Sequence, residues 1–176
     1  YAGLYAEGND EPGLKAGIND QGLVAVSATA SIPRKALRAM PATKGLLAKL
    51  LAGSATVDEA LRHGEWFLGP RYLLIADRTK VASIEIASEG SYRVAIADRS
   101  VLYHTNHYVM PGLEGAKPKR IGASSLERYR RVEERVRARH GVALARGRPA
   151  RRLRRRGGRR SPGARRPVDH ARHDAG

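Results

Sequence analysis

The residues best suited to chemistry lie in three short stretches. In VLYHTNHY, Val101–Tyr108, Asn106 places a neutral amide donor near the end of an apolar run. A side-chain amide aimed at a developing oxyanion stabilises acyl transfer. The bland alternative for the same run is an edge strand with a solvated end. His104 and His107 raise the question of a metal, but a spacing of three on a strand sends two side chains to opposite faces, so one ion cannot take both. In SSLER, Ser124–Arg128, a serine reads as a helix cap and Arg128 as a surface cation. In NDQG, Asn19–Gly22, asparagine opens and glycine closes a type I turn. No spacing supports a Ser-His-Asp arrangement, and there is no glycine-rich phosphate loop. The chain holds no cysteine, hence no disulfide, thiolate metal site or thiol nucleophile.

The elements that must position these residues follow from periodicity. Residues 1–12 read as an apolar start and a polar turn. Leu14–Ile18 and Leu23–Ala30 form a hairpin about the NDQG turn, and residues 33–41 are a basic connection. Thr43–Ala52 is a helix with Leu46, Leu47, Leu50 and Leu51 on one face. Thr56 with Glu59 is a capping box for a second helix that turns Val57, Ala60 and Leu61 inward and ends at Gly64. Tyr72–Ala76, Val81–Ala87, Tyr92–Ala97 and Val101–Tyr108 read as an antiparallel meander with the turns DRTK, SEGS and DRS. On a period of two, His104, Asn106 and Tyr108 share one face of the last strand, and Tyr103, Thr105 and His107 the other. Ser124–Arg139 is a helix with a narrow stripe of Tyr129, Val132 and Val136. Strands and helices come in runs, which predicts an α+β fold.

The net charge of +16 invites a nucleic-acid reading, but its distribution weakens it. Residues 1–140 hold 21 Lys+Arg against 15 Asp+Glu, while residues 141–176 hold 12 Arg, no Lys and 2 Asp. That last stretch, rich in Arg, Gly and Pro and without apolar periodicity, cannot bury a core and is expected to be disordered. It reads either as an arginine-rich arm for phosphates or as a GC-rich coding region translated out of frame; the absence of Lys favours the second. The domain boundary is therefore placed at 140. No apolar run approaches the roughly 18 residues of a membrane span, and the opening residues show no charged, then apolar, then small-residue pattern. A cytoplasmic location is expected.

Three motifs in order carry a resemblance. GINDQGLVAVSATAS is similar to the G-[MIV]-N-x-x-G-[LV] hairpin, HTNHY to the T-N-[HN] strand and ASSLERY to the S-S-x-x-R helix start of the choloylglycine hydrolase and acyl-CoA:6-aminopenicillanate acyltransferase relatives, including the peptidase C45-like proteins. FLGPRYLLIADRTKVASIEI resembles the segment between the first two. The resemblance spans about residues 3–139. It implies a partial four-layer αββα sandwich of the N-terminal-nucleophile hydrolases, a cysteine nucleophile whose own α-amino group is the base, and acyl transfer to water or an amine from linear, non-peptide amides. It implies that Asn106 helps hold the oxyanion and that Arg128 helps order the nucleophile site.

The departures from the family set further expectations. The family's Cys, and the Arg and Asp after it, precede the hairpin; here 16 residues precede Gly17 and none is Cys. Tyr1 cannot replace it, since a phenol of pKa about 10 is a poor nucleophile at neutral pH. The chain is expected to be the middle of a domain with both ends lost and to be inactive as written. The complete parent would take a small-molecule amide, with no cofactor and no membrane, and self-association is open to it. The alternative is a small α+β binding module, with nucleic acid as partner if the arginine-rich stretch is genuine.

Overall fold

The computed structural model describes residues 1–7, 13–30, 32, 34–88, 90–113 and 122–140. The fold is mixed α+β. Six strands form one antiparallel sheet in the order of the sequence: β1 Ala2–Ala6, β2 Gly13–Ile18, β3 Val24–Thr29, β4 Arg71–Ala76, β5 Val81–Ile86 and β6 Tyr92–Ala97. Helices α1 Arg34–Arg38, α2 Leu46–Gly53 and α3 Val57–Arg62, then a 3-10 turn at Gly64–Trp66, lie between β3 and β4; α4 Ala123–His140 comes last. No helix among the described residues is long and apolar enough to cross a membrane.

Cross-strand registry sorts the side chains into two faces. Ala25, Ile75 and Ala82 are successive partners on one face, as are Leu73 and Ile84. This face packs on Leu46, Leu47, Leu50 and Leu51 of α2 and on Val57 and Ala60 of α3, and together they make the main buried core. Leucines at 46, 47, 50 and 51 repeat at helical spacing, so α2 presents one apolar stripe and leaves Lys49 in solvent. The other face carries the rows Leu4–Ala16–Val26–Leu74–Ser83–Ala95 and Ala28–Tyr72–Glu85–Arg93. At its β4–β5 end it is covered by residues 104–113, through Tyr108 and Leu113 packed with Tyr72. At its β1–β3 end Leu4 is 73% and Val26 40% exposed.

Local chemistry explains the joins. The 19–22 turn closes with Gly22 N–H on Asn19 C=O at 3.1 Å, and Gly22 sits at φ 87°, a conformation that favours glycine. Thr56 accepts from the Glu59 N–H at 3.2 Å as expected of a capping box, but the Glu59 carboxylate reaches back to the N–H of Ala55 at 2.7 Å rather than to that of Thr56. Asp77, in the β4–β5 turn, accepts from the Val57 N–H at 2.8 Å and so caps α3 from a distance. Burial alone would raise the Asp77 carboxyl; bonds from the Thr79 hydroxyl and the N–H groups of Val57, Thr79 and Lys80 outweigh it and hold the group at about 2.

Four sequence expectations change. Residues 2–6 form a strand at the sheet edge, and one short helix occupies 34–38 inside the stretch read as a connection. Gly64 does not end α3; His63 caps it and Gly64 opens the 3-10 turn. Residues 101–108 form no strand. They lie across the sheet face, and the N–H groups of Asn106, Val109 and Met110 go to the side chains of Ser125 and Glu85 in place of a ladder partner. The expectation for residues 141–176 lies outside the described residues.

Candidate functional site

The period-two alternation read for Val101–Tyr108 holds in part: Asn106, read on one face with His104 and Tyr108, instead bonds Arg128 of α4 and the Thr29 carbonyl. Tyr103, Thr105 and His107 turn toward α4: Tyr103 and His107 meet the Tyr129 ring at centroid distances of 4.8 and 5.3 Å. Thr105 and His107 converge on buried Ser125, with His107 Nδ1 2.9 Å and Thr105 Oγ1 3.1 Å from Ser125 Oγ. His104 and Tyr108 turn the other way, onto the Tyr72 ring. The two histidines thus serve different neighbours, as their spacing requires. Among the described residues no group of three His, Cys, Asp or Glu could hold a metal ion.

The helix start does more than cap. The carbonyl of Gly122 accepts the first helical bonds of α4, from Ser125 at 2.8 Å and Leu126 at 3.3 Å. Neither serine is therefore the cap expected of it. Ser125 Oγ accepts from the Asn106 N–H at 2.9 Å instead, pinning the loop to the helix. With Thr105 donating to the Ser125 carbonyl at 3.1 Å and Ser125 donating to Thr105 Oγ1, both hydroxyl protons are used, and His107 donates through Nδ1.

Asn106 stands where these supports meet. Its Nδ2 donates to the carbonyl of Thr29, the last residue of β3, at 2.9 Å, and its Oδ1 accepts from Arg128 Nη2 at 3.1 Å. A carbonyl on one side and a guanidinium on the other fix which end of the carboxamide is which. Arg128 is itself held by its Nε donating to the Ser124 carbonyl at 3.1 Å. A cation on the amide oxygen draws electron density from the nitrogen and makes its N–H groups stronger donors. The structure therefore brings together the two residues singled out in the sequence, Asn106 and Arg128, although they are 22 positions apart.

Two supports were not foreseen. Glu85 is completely buried. It accepts from His104 Nε2 at 2.9 Å, from Val109 N–H at 2.7 Å and from Met110 N–H at 3.1 Å. A lone acid inside the apolar strand VASIEI was its only sequence signal. Burial, with the nearby Glu85 charge adding to it, pushes the Tyr108 hydroxyl to about 12; Tyr108 donates to the Ile86 carbonyl at 2.9 Å. Asn19, explained in the sequence by its turn alone, also ties the hairpin to α2. Its Nδ2 donates to the carbonyls of Leu51 at 2.9 Å and Ser54 at 2.7 Å, and its Oδ1 accepts from Leu23 N–H at 2.8 Å.

Beside Thr29, on the sheet face opposite Glu85, a cleft of about 400 Å³ opens under residues 42–48. Lys15, Ser27, Thr29, Lys44 and Arg71 give it its polar and cationic groups, and Leu14, Leu37 and Leu46 are among its apolar walls. Thr29 belongs to both places, lining the cleft and accepting from Asn106.

A search of curated proteins finds no match for the chain. The family model for acyl-coenzyme A:6-aminopenicillanic acid acyl-transferase matches residues 2–143. The match runs from β1 through α4 and contains the 19–22 turn, the Asn106 loop and the Ser125–Arg128 helix start. The chain belongs to the acyl-coenzyme A:6-aminopenicillanic acid acyl-transferase family.

Proposed function

We propose that this chain carries the oxyanion-binding part of a site for acyl transfer or hydrolysis at linear, non-peptide amide bonds, with Asn106 as the oxyanion donor and Arg128 as its support. The observation that carries this reading is the Asn106 carboxamide held between the Thr29 carbonyl and the Arg128 guanidinium. A donor clamped at both ends needs no reorientation when charge develops on a reacting carbonyl oxygen. The cleft on the opposite sheet face, which meets this site at Thr29, offers room for an acyl or amine group of the substrate. Family membership supports the reaction class, and the single antiparallel sheet with helices packed on one face is consistent with an N-terminal-nucleophile hydrolase-like fold, the peptidase C45-like proteins among them.

The 176 residues contain no cysteine, so the chain alone lacks the thiol nucleophile this chemistry uses, and it turns over no amide by that route. Joining a cysteine-led segment to the residue before Ala2 supplies the thiolate and its α-amino base. The test is release of amine from a linear N-acyl amide by the chain alone, by the cysteine-joined chain and by its Asn106→Ala variant. Turnover only after joining, and its loss in the variant, supports the reading. Turnover by the chain alone that Asn106→Ala leaves unchanged overturns it.

A further inference from the structure

We propose that Glu85 and His104 form a buried carboxylate–imidazolium pair that positions Asn106. The proposal rests on the reading of Asn106 given above, but its test does not. Glu85 is the next-to-last residue of β5 on the face covered by the Asn106 loop, between Tyr72 and Arg93 in one cross-strand row. Tyr72, Glu85 and Arg93 each hold a part of the loop. Tyr72 stacks with His104 at 4.2 Å and meets Tyr108 edge-on at 5.1 Å. Glu85 takes His104, Val109 and Met110. Arg93 donates through Nε to the Pro111 carbonyl at 3.2 Å. The donors to Glu85 come from two positions before Asn106 and from three and four after it, so a single carboxylate gathers both ends of the turn that carries the amide.

The protons on His104 follow from its partners. Nε2 meets Glu85 Oε1, and Nδ1 meets the carbonyl oxygen of Thr105. The Thr105 carbonyl only accepts, so Nδ1 donates; Glu85 Oε1 already takes the Val109 and Met110 N–H groups and so has no proton to give, which leaves Nε2 to donate as well, and a ring with two N–H groups is a cation. A wholly buried carboxylate is held as an anion when a cation and directed N–H groups surround it. Among the described residues, Arg93 lies beside Glu85 along the row, and Tyr72 and Tyr108 are neighbouring neutral titratable groups. Glu85 does not touch Asn106. It acts through the loop and is a positioning residue.

The experiment uses the 176-residue chain, labelled with ¹⁵N, and reads the His104 ring nitrogens together with hydrogen exchange at Asn106 Nδ2, Val109 and Met110. In the unsubstituted chain both His104 nitrogens carry protons. Glu85→Gln removes the charge; its carbonyl still accepts from Val109 and Met110 while its NH2 group faces Nε2, which must then accept. His104 then shows one N–H, while Val109 and Met110 exchange within about threefold of their original rates. Glu85→Ala removes the acceptor; Asn106 Nδ2, Val109 and Met110 then exchange at least about tenfold faster while β3 and β4 amides are unchanged. A single N–H on His104 in the unsubstituted chain overturns the proposal, as does unchanged Asn106 exchange in a folded Glu85→Ala chain. Should Glu85→Ala fail to fold, Glu85→Gln decides: an unaltered His104 signature overturns the pair and an altered one upholds it. Asn106→Ala kinetics in the cysteine-joined chain report on the oxyanion reading alone, so the two failures are told apart.

Discussion

Arg128 Nη2 donates to Asn106 Oδ1 at 3.1 Å, and this bond joins the loop over the sheet to the second turn of α4. The amide is oriented by a helix and a strand end together, and neither support lies next to it in sequence.

Removing the amide tests the first role. In the cysteine-joined chain, Asn106→Ala should lower kcat by about 10²–10³, the scale for one oxyanion donor. Steady-state kinetics on a linear amide check this, and a near-normal kcat would remove the role assigned to Asn106.

Arg128 supports the amide without reaching the reacting atoms, so its loss costs less. Arg128→Ala should lower kcat by about tenfold, with KM nearly unchanged, because effects on orientation weaken the transition state more than ground-state binding. Arg128→Lys should recover little of this, since an ammonium cannot bond the Ser124 carbonyl and the Asn106 oxygen in the fork geometry of a guanidinium.

Asn19 should matter for stability. Asn19→Ala leaves the Leu51 and Ser54 carbonyls and the Leu23 N–H without their side-chain partner in a buried place. We expect a loss of about 2–4 kcal/mol in urea unfolding, seen as a lower midpoint at unchanged slope. Asn19→Asp should do no better, because a carboxylate cannot donate to two carbonyls.

Acid should loosen the α3 cap. The folded Asp77 carboxyl titrates at about 2 against an ordinary value of 3.8. A depressed carboxyl adds stability above its unfolded value, and that stability is lost as pH falls from about 4 toward 2. Solvent screening limits the contribution to about 1 kcal/mol. Thermal melts of the chain and of Asp77→Asn between pH 5 and 2 should converge at the acid end.

The parts of the fold that could be read from the sequence are those where one residue pattern has one physical solution. Leu46, Leu47, Leu50 and Leu51 admit only a helix face, and Thr56 with Glu59 marks only a helix start. The AGLYA strand was missed because small residues at a sheet edge carry little periodic contrast, and the 34–38 helix because one turn between prolines has no apolar stripe. VLYHTNHY showed the alternation of Tyr103, Thr105 and His107 against His104 and Tyr108, but neither its cause nor the bond from Asn106 to α4. A loop laid between a sheet face and a helix alternates its side chains as a strand does, and only the Glu85 and Ser125 side chains, distant in sequence, tell the two apart. Motif order singled out Asn106 and Arg128 as candidates. Their contact with each other, and the roles of Glu85 and Ser125, depend on tertiary partners that no local pattern encodes.

The meander order of the sheet has a consequence in time. Each strand pairs with the one made just before it, so during synthesis the sheet can lengthen one hairpin at a time. The exception is β3 to β4, where Thr29 must find Arg71 across the three helices. Closing that long loop comes before any reward from the contacts it makes. Refolding speed should therefore respond to substitutions at this seam, such as Ala25→Gly or Ile75→Val, and hardly at all to those in β1, whose loss should show in the unfolding rate instead.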